Sequence, residues 1–174
     1  MQLTLSGFSI RAWQATDAAS LAQHANDRRI WRNQRDAFPH PYTRTDATVA
    51  AQVPRTYFAI TIADQAVGGI GYTLNADVER IAAAIGYWLG VTYWSRGIGT
   101  AAVRAVTTHA FQHHVDLRRI IYAAPYGWSA ASVRVLVRAG YKLEGRMRES
   151  ALKDGQVVDQ FMYAILRDEC STSA

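Results

Sequence analysis

The sequence predicts an α/β protein, of the α+β kind, whose mixed sheet is mostly antiparallel and contains one parallel pair of strands flanking a central helix. Three observations predict this class. Short stretches rich in β-branched and aromatic residues alternate with stretches of helical periodicity. Residues 81–91 are apolar almost throughout, which is typical of a strand in the middle of a sheet. The chain closes with a hairpin pattern around the turn residues 153–155.

The N-terminal part of the chain is predicted to contain a strand, two helices and a loop. Apolar residues recur along Leu3 to Trp13 as they do in a strand. Asp17 is placed to cap a helix that extends to Ile30. The two prolines in residues 38–42 break regular structure, so these residues form a loop, and Thr45 begins a short second helix.

Strands and helices alternate along the rest of the chain. The elements are, in order, strands 57–62 and 67–74 around a turn at 64–65, a strand 81–91, a helix from about 98 to 113, a strand 119–124, a helix capped by Ser129, and hairpin strands 146–152 and 156–166. The helix after Ser129 has a predicted buried face of Val133, Leu136 and Val137. Gly140 follows this helix, where a left-handed C-terminal cap is needed.

Length and composition indicate one globular domain, which we assign to residues 1–170, followed by a frayed tail at residues 171–174. Cys170 is the only cysteine, so no intrachain disulfide can form and a reducing compartment fits. The N-terminus lacks the basic and apolar regions of a signal peptide, and no apolar run has the length needed to cross a bilayer. We therefore expect a cytoplasmic protein.

The net charge is +5, and almost all of the positive charge comes from arginine. Such a charge suits an anionic partner, either nucleic acid or a phosphorylated cofactor. Because the arginines are spread along the chain, nucleic acid is the less favoured partner. His109 and His113 have the spacing of a metal pair, but no third ligand is near, so no metal is expected. The sequence allows a homodimer and does not require one.

The segment 96–100, Arg-Gly-Ile-Gly-Thr, lies between a buried strand and a helix and is interpreted as an anion site. Glycines let backbone N–H groups close on a phosphate, and a helix N-terminus adds unpaired donors. The same glycines fit a dinucleotide fingerprint. However, residues 92–96 separate them from their strand, and the strand 119–124 ends without an acidic residue for a ribose. An NAD-binding oxidoreductase is therefore the less favoured interpretation.

The glycine segment resembles the phosphate loop of the GNAT N-acetyltransferases, Gln/Arg-x-x-Gly-x-Gly/Ala. Gly97 and Gly99 match its glycines, and Trp94 stands in place of Gln or Arg. The preceding Tyr93-Trp94 pair is similar to the RimJ/RimL-type group of that superfamily. Further matches to this group follow one another over nearly the whole chain: Pro41-Tyr42-Thr43 before Asp46-Ala47, Ile85-Gly86-Tyr87-Trp88-Leu89, Ser132-Val133-Arg134-Val135-Leu136 before Ala139-Gly140-Tyr141, and Glu144-Gly145 before Asp154-Gly155 and Asp159.

The resemblance implies a GNAT fold in which two parallel strands, 81–91 and 119–124, splay apart and admit the pantetheine arm of acetyl-CoA. It implies that backbone N–H groups of Leu89 and Val91 bond the arm and the acetyl carbonyl, so that Leu89 stabilises the developing oxyanion. Amides of the 96–100 segment would hold the pyrophosphate. The implied cofactor-binding residues are Leu89, Val91, Arg96, Gly97, Ile98, Gly99, Thr100, Ser129 and Arg134.

Besides Trp94, the chain departs from the family pattern at Ser129, where the family commonly has Asn, and at two positions that concern proton transfer. Ala84 stands where the group often has a Glu that accepts the proton of the amine, and Glu79, Asp36 or a water chain are open alternatives. Leu136 stands where many GNAT enzymes have a Tyr that donates to the CoA thiolate. Ser132, one turn earlier, is the candidate donor, or else it bonds only a backbone carbonyl.

The resemblance implies direct acetyl transfer from acetyl-CoA to a primary amine, either a protein N-terminus or a small-molecule amine. Trp31, Phe38 and Tyr42 lie in or near the proline loop, which by resemblance lines the acceptor pocket. Ordinary core packing is the alternative role for these three aromatic residues. Because Ala84 and Leu136 remove two proton-handling groups, a GNAT-like protein that binds CoA or an acidic partner without transfer is the second hypothesis.

Overall fold

The structure, a computed structural model, describes residues 1–46, 56–124 and 126–170. The strands in these residues are β1 (Gln2–Leu5), β2 (Phe8–Ala12), β3 (Tyr57–Ile62), β4 (Gln65–Leu74), β5 (Ala82–Leu89), β6 (Arg119–Ala124), β7 (Lys142–Lys153) and β8 (Gln156–Leu166). The helices with both ends described are α1 (Ala18–Ala25), α2 (Arg28–Trp31), α3 (Ile98–His113), α4 (Ala130–Arg138) and α5 (Arg167–Cys170). The strands form a mixed sheet that is mostly antiparallel, with β5 and β6 as a parallel pair.

The chain divides into two compact units, and the first comprises Met1–Gly71 and Tyr87–Ala102. Strands β1 to β4 pair antiparallel in sequence order. The end of β5 lies beside β4, where the Gly90 N–H donates to the Val67 carbonyl at 2.8 Å. On α1, Leu21 and Ala25 are buried together with Tyr42 in a cluster of apolar side chains. This packing brings the loop around Tyr42 and the end of β5 into the same unit.

The second unit comprises Tyr72–Gly86 and Val103–Ala174. Within it the start of β5 pairs in parallel with β6 from Ala82↔Arg119 to Ala84↔Ile121. Strand β6 continues to its end beside β8, with which it pairs antiparallel, and β8 pairs antiparallel with β7. The parallel ladder therefore stops before β6 does.

Arg167, at the start of α5, closes the C-terminal end of α3. Its guanidinium donates to the carbonyls of Phe111, His114 and Leu117 at 2.8, 2.6 and 2.8 Å. The Phe111 carbonyl lies in the last turn of α3, where carbonyl groups lack a donor within the helix. The other two carbonyls lie just beyond the helix, so Arg167 supplies a donor at the helix end and ties the residues that follow to it. The C-terminal residues thereby fix the end of the central helix.

The predicted fold class is confirmed, and several predicted element boundaries are close to those observed. Strands 57–62 and 119–124 have the predicted ends. The turn at Asp154 and Gly155 has positive φ at both residues, 52° and 74°, as a two-residue type I′ hairpin turn requires. Gly140, with φ 97°, adopts the predicted left-handed conformation after α4.

Three predictions about elements are wrong. Leu3 to Trp13 is two strands, because Gly7 turns the chain with φ 81°. The helix from Asp17 to Ile30 is interrupted, since the Asp27 carboxylate accepts the Arg29 N–H and starts α2 separately. Val137 is 55% exposed rather than buried. Residues 44–46 are helical, but most of the helix predicted from Thr45 and the predicted tail at 171–174 lie outside the described residues.

Residues 1–170 as a single domain remain a prediction. None of the helices with described residues has the length and apolar character needed to cross a membrane. Within the described ranges, no group of three or more His, Cys, Asp or Glu side chains is arranged to hold a metal ion.

Candidate functional site

A short glycine-containing loop leads into α3 in the first unit. After the 3-10 turn Val91–Tyr93, the backbone takes positive φ at Ser95 (62°) and Gly97 (79°). The first backbone bond across the start of α3 runs from the Ala101 N–H to the Gly97 carbonyl at 3.0 Å. The amides of residues 98–100 precede this bond and so have no acceptor within the helix. These amides belong to the 96–100 segment that the sequence predicts to bind an anion.

The space around Gly97 is open. A Cβ built on this residue would meet no other protein atom within 4 Å, so the positive φ, and not crowding, is what calls for glycine here. The helix N-terminus gives the loop a partial positive charge. Arg96 adds a full charge, and its guanidinium lies 5.5 Å from the centre of the Tyr93 ring. Open space, free amides and positive charge together suit a phosphate group.

The end of β5 presents a backbone edge that is not used by β4. Because the Gly90 N–H points to β4, the N–H and carbonyl groups of Leu89, one residue earlier, point to the opposite edge. The side chain of Leu89 is buried. The Leu89 carbonyl accepts a hydrogen bond from the Trp94 indole N–H at 2.7 Å. A rigid amide at this position is what stabilisation of an oxyanion requires.

The three predicted acceptor-pocket residues differ in exposure. Tyr42 is only 6% exposed, and burial raises its pKa to about 12, so it is part of the core of its unit. Phe38 packs between Tyr42 and Trp88, with ring centres 4.8 and 5.7 Å away, and remains half-buried. Trp31 is also half-buried and lies 5.9 Å from the His40 ring. Phe38 and Trp31 therefore keep surface that an acceptor could contact.

Two residues at the β5 end were missed by the sequence analysis. Gln34, after α2, donates from its side-chain amide to the Tyr87 carbonyl at 3.3 Å. His24, on α1, packs against Gly90 and meets the Tyr93 ring edge-on, with ring centres 5.4 Å apart. Burial lowers the pKa of His24. Neither residue belongs to a motif, so the sequence offers no local signal for these contacts.

The remaining predicted residues lie in the second unit, at α4. Ser129 is buried, and its hydroxyl donates to the Ser132 hydroxyl at 2.8 Å instead of capping the helix. Arg134 is exposed, and together with Phe161 it lines a shallow cavity of about 350 Å³. Leu136 is completely buried, which agrees with its predicted place on the buried face.

The predicted residues thus fall into two groups, one in each unit. The first unit contains Trp31, Phe38, Tyr42, Leu89, Val91, Arg96, Gly97, Ile98, Gly99 and Thr100, and the second contains Ser129, Ser132 and Arg134. Another shallow cavity, of about 410 Å³, lies along β1 and β2 and contains none of these residues.

The chain is similar in sequence and in fold to known proteins. A family model described as an acetyltransferase (GNAT) domain matches residues 8–142, which is most of the chain. The chain belongs to the GNAT acetyltransferase family. As a member it is an N-acetyltransferase that uses acetyl-CoA as its cosubstrate, and the NAD interpretation is set aside.

Two relatives and one solved structure illustrate the similarity. "Uncharacterized N-acetyltransferase p20" of Bacillus licheniformis is 27% identical over 124 residues, 71% of this chain and 68% of that protein. "Putative ribosomal N-acetyltransferase YdaF" of Bacillus subtilis is 34% identical over 95 residues, 55% of this chain and about half, 51%, of its own length. The structure of Mycobacterium smegmatis RimJ in complex with CoA-disulfide has a TM-score of 0.81 at 22% identity, covering 93% of this chain and 83% of that one. The last likeness concerns the fold.

Proposed function

We propose that this GNAT enzyme transfers the acetyl group of acetyl-CoA directly to a primary amine, without a covalent enzyme intermediate. The observation that carries the proposal is the start of α3, where the amides of residues 98–100 adjoin the open space at Gly97. These donors suit the pyrophosphate of CoA. Arg96 supplies charge in the same loop.

The transfer breaks one bond and forms one. The lone pair of the amine attacks the thioester carbonyl, negative charge develops on the carbonyl oxygen, and the carbon–sulfur bond breaks as the carbon–nitrogen bond is completed. In this proposal the Leu89 amide stabilises that oxygen, and the Val91 amide bonds the pantetheine arm. The amine gives up one proton to water, and the CoA thiolate takes up one proton from water, so the protons balance. Ser132, whose hydroxyl accepts a hydrogen bond from the Ser129 hydroxyl, stays the donor that the sequence predicts.

Direct transfer is supported by the location of the cysteine. Cys170 lies at the end of α5, where its sulfur is 3.6 Å from the Thr108 hydroxyl. The proposed site residues include no cysteine, so no thiol is offered to carry the acetyl group. A single cysteine also suits a reducing compartment, and we include a cytoplasmic location in the proposal.

The N-terminal amine of a protein is the acceptor that we favour. Support comes from the names of similar proteins, which include a putative ribosomal N-acetyltransferase and RimL, a ribosomal L7/L12 alpha-N-protein acetyltransferase. The partly exposed rings of Trp31 and Phe38 suit the apolar side chain of a terminal residue. A small-molecule amine is the other acceptor class. The non-catalytic alternative, binding of CoA or an acidic partner without transfer, draws on the absence of an ionisable group at Ala84 and Leu136.

Binding of acetyl-CoA at the α3 loop is tested by calorimetry with Gly97→Glu. Glutamate would place a side chain and a negative charge in the phosphate space, so we expect binding in the micromolar range to be lost. Gly7→Glu is the matched control, because Gly7 has nearly the same φ, 81° against 79°, and an equally open surrounding. Equal loss of binding in both variants, or unchanged binding in Gly97→Glu, would contradict the site.

Transfer itself is tested by a screen of amine acceptors that measures CoA release. Peptides with free N-termini, amino acids, polyamines and aminoglycoside-type amines are compared, and terminal acetylation of peptides is expected. Cys170→Ala should leave the rate unchanged. Abolition of turnover in that variant would show that transfer is not direct, and binding without any turnover would favour the non-catalytic alternative.

A further inference from the structure

Within the first unit, the end of β5 faces β4 on one edge and side chains of other segments on the other edge. The Gly90 N–H donates to the Val67 carbonyl at 2.8 Å, so this peptide faces β4. Neighbouring residues of a strand point to opposite edges, and the N–H and carbonyl of one residue point to the same edge. Leu89 and Tyr87 therefore direct their backbone groups away from β4. On that edge the N–H group of each residue, which could donate to a ligand, therefore lies beside the carbonyl group of the same residue.

Side chains from two different segments occupy the carbonyls of this edge. The Trp94 indole N–H donates to the Leu89 carbonyl at 2.7 Å, and the Gln34 amide donates to the Tyr87 carbonyl at 3.3 Å. Trp94 lies just after the 3-10 turn that follows β5, and Gln34 lies just after α2. Both bonds are made to carbonyl groups, so neither of them uses an N–H group of this edge.

The peptide between Leu89 and Gly90 is held from both sides. Its N–H is bonded to Val67 and its carbonyl to Trp94, at 2.8 and 2.7 Å. Rotation of this peptide would break both bonds at once. The adjoining peptide, which carries the Leu89 N–H, shares the Leu89 Cα and is fixed in direction by the same pair.

We propose that Trp94 is a positioning residue that holds the Leu89 carbonyl away from the reacting oxygen and fixes the Leu89 amide as a donor. An unbonded carbonyl on this edge would place negative partial charge beside the oxygen on which negative charge develops. The indole N–H neutralises that acceptor and also ties the phosphate-type loop to β5. The inference rests on the proposed function of the Leu89 amide.

The side chains that occur at the position of Trp94 share one chemical property. It occupies the place that the phosphate-loop pattern gives to Gln or Arg, and all three side chains carry N–H groups. Phenylalanine keeps an aromatic ring but has no donor, whereas glutamine keeps a donor but has no ring. Substitutions at this one residue can therefore separate the hydrogen bond from the packing of the ring.

Steady-state kinetics of Trp94→Phe and Trp94→Gln provide the first test. A direct oxyanion donor is worth roughly 10²–10³ in kcat, and a residue that acts through another is expected to contribute less. We expect Trp94→Phe to lower kcat about tenfold with KM for acetyl-CoA changed less than about twofold, and Trp94→Gln to restore most of the loss. Trp13→Phe is the matched control, since Trp13 packs in the same unit and the described part of the structure gives its indole no hydrogen bond.

Hydrogen exchange measured by NMR provides a second test that does not depend on turnover. In the wild type, the Trp94 indole proton and the Gly90 amide proton should exchange slowly, and Trp94→Phe should speed exchange at Gly90. An indole proton that exchanges as fast as that of free tryptophan would overturn the inference. So would equal losses of kcat in Trp94→Phe and Trp94→Gln. If these protons exchange slowly in a wild-type protein that transfers no acetyl group, the proposed function and the positioning role of Trp94 in transfer would both be refuted. Only the fixed orientation of the peptide between Leu89 and Gly90 would then stand.

Discussion

Ala84 is the residue at which the proton chemistry of this enzyme departs most from the family pattern. It lies in β5, is exposed, and cannot accept a proton from the attacking amine. Its exposure means that a larger polar side chain fits without disturbing the core. If neither Glu79 nor Asp36 acts as the base instead, the rate of the proposed transfer depends on the fraction of amine that is already unprotonated and on the positioning of the two reactants.

Ala84→Glu should raise the rate of acetyl transfer near neutral pH if proton removal limits it. A general base typically contributes roughly 10²–10⁴-fold, and we expect a gain of at least about tenfold for a base introduced without refinement. The carboxyl group accepts a proton only when ionised, so the pH profile of kcat/KM should gain an acidic limb. Ala84→Gln, which adds nearly the same volume without a base, should show neither change. A gain in both variants would mean that size or polarity is responsible.

Local backbone requirements could be predicted from single residues, but contacts between distant residues could not. Gly140 has the positive φ that its position after a helix predicted, whereas the positive φ of Gly97 was not predicted. The Trp94 indole could be recognised as a substitute in the phosphate-loop pattern, but its acceptor, the Leu89 carbonyl, could not. Gln34 gave no signal, because its acceptor on Tyr87 is 53 residues away.

Helix α4 illustrates how far helical periodicity determines burial. The sequence predicted a buried face of Val133, Leu136 and Val137, and the structure buries Leu136 completely but leaves Val137 55% exposed. A buried stripe on a helix is narrow, and the last of three apolar positions fell outside it. The start of the helix was predicted, but Ser129 bonds Ser132 instead of the backbone, which periodicity cannot reveal.

Substitutions on α4 should distinguish the buried position of Leu136 from the exposed position of Val137. Leu136→Ala removes a fully buried side chain and should lower the free energy of unfolding by about 2–5 kcal/mol. Val137→Ala changes an exposed position and should stay within about 0.5 kcal/mol of the wild type. Urea unfolding followed by fluorescence measures both values. Similar losses for the two variants would mean that the Val137 face is covered in solution.

At the scale of the whole molecule, histidines on α3 couple stability to pH. Burial, together with the nearby charge of His113, lowers the pKa of His109 from 6.5 to about 4. The centres of the His109 and His113 rings lie 3.8 Å apart. In the unfolded chain His109 binds its proton near pH 6.5, whereas the folded protein binds it only near pH 4. The unfolded state is therefore favoured by protonation as the pH falls between these values.

The urea midpoint of the wild type should consequently be highest above pH 6.5 and should fall between pH 6.5 and about 4. In His109→Gln the fall over this window should be smaller, since one proton that only the unfolded chain binds has been removed. His40→Gln, which changes an exposed histidine in the proline loop, should retain the wild-type slope. An unchanged slope in His109→Gln would place the pH sensitivity in other groups.

The pairing of β6 with β8 has a consequence for the order in which the chain is made. Strand β6 emerges from the ribosome well before β8, yet its six residue pairs with β8, from Arg119↔Leu166 to Ala124↔Phe161, run along its full length. The carbonyls at the end of α3 likewise wait for Arg167. A nascent chain that has been translated only as far as β7 therefore carries an open strand edge, which is the kind of surface on which chains pair with one another. Translation of residues 156–167 is the step that covers the edge of β6 and leaves β7 as the edge strand on this side of the sheet.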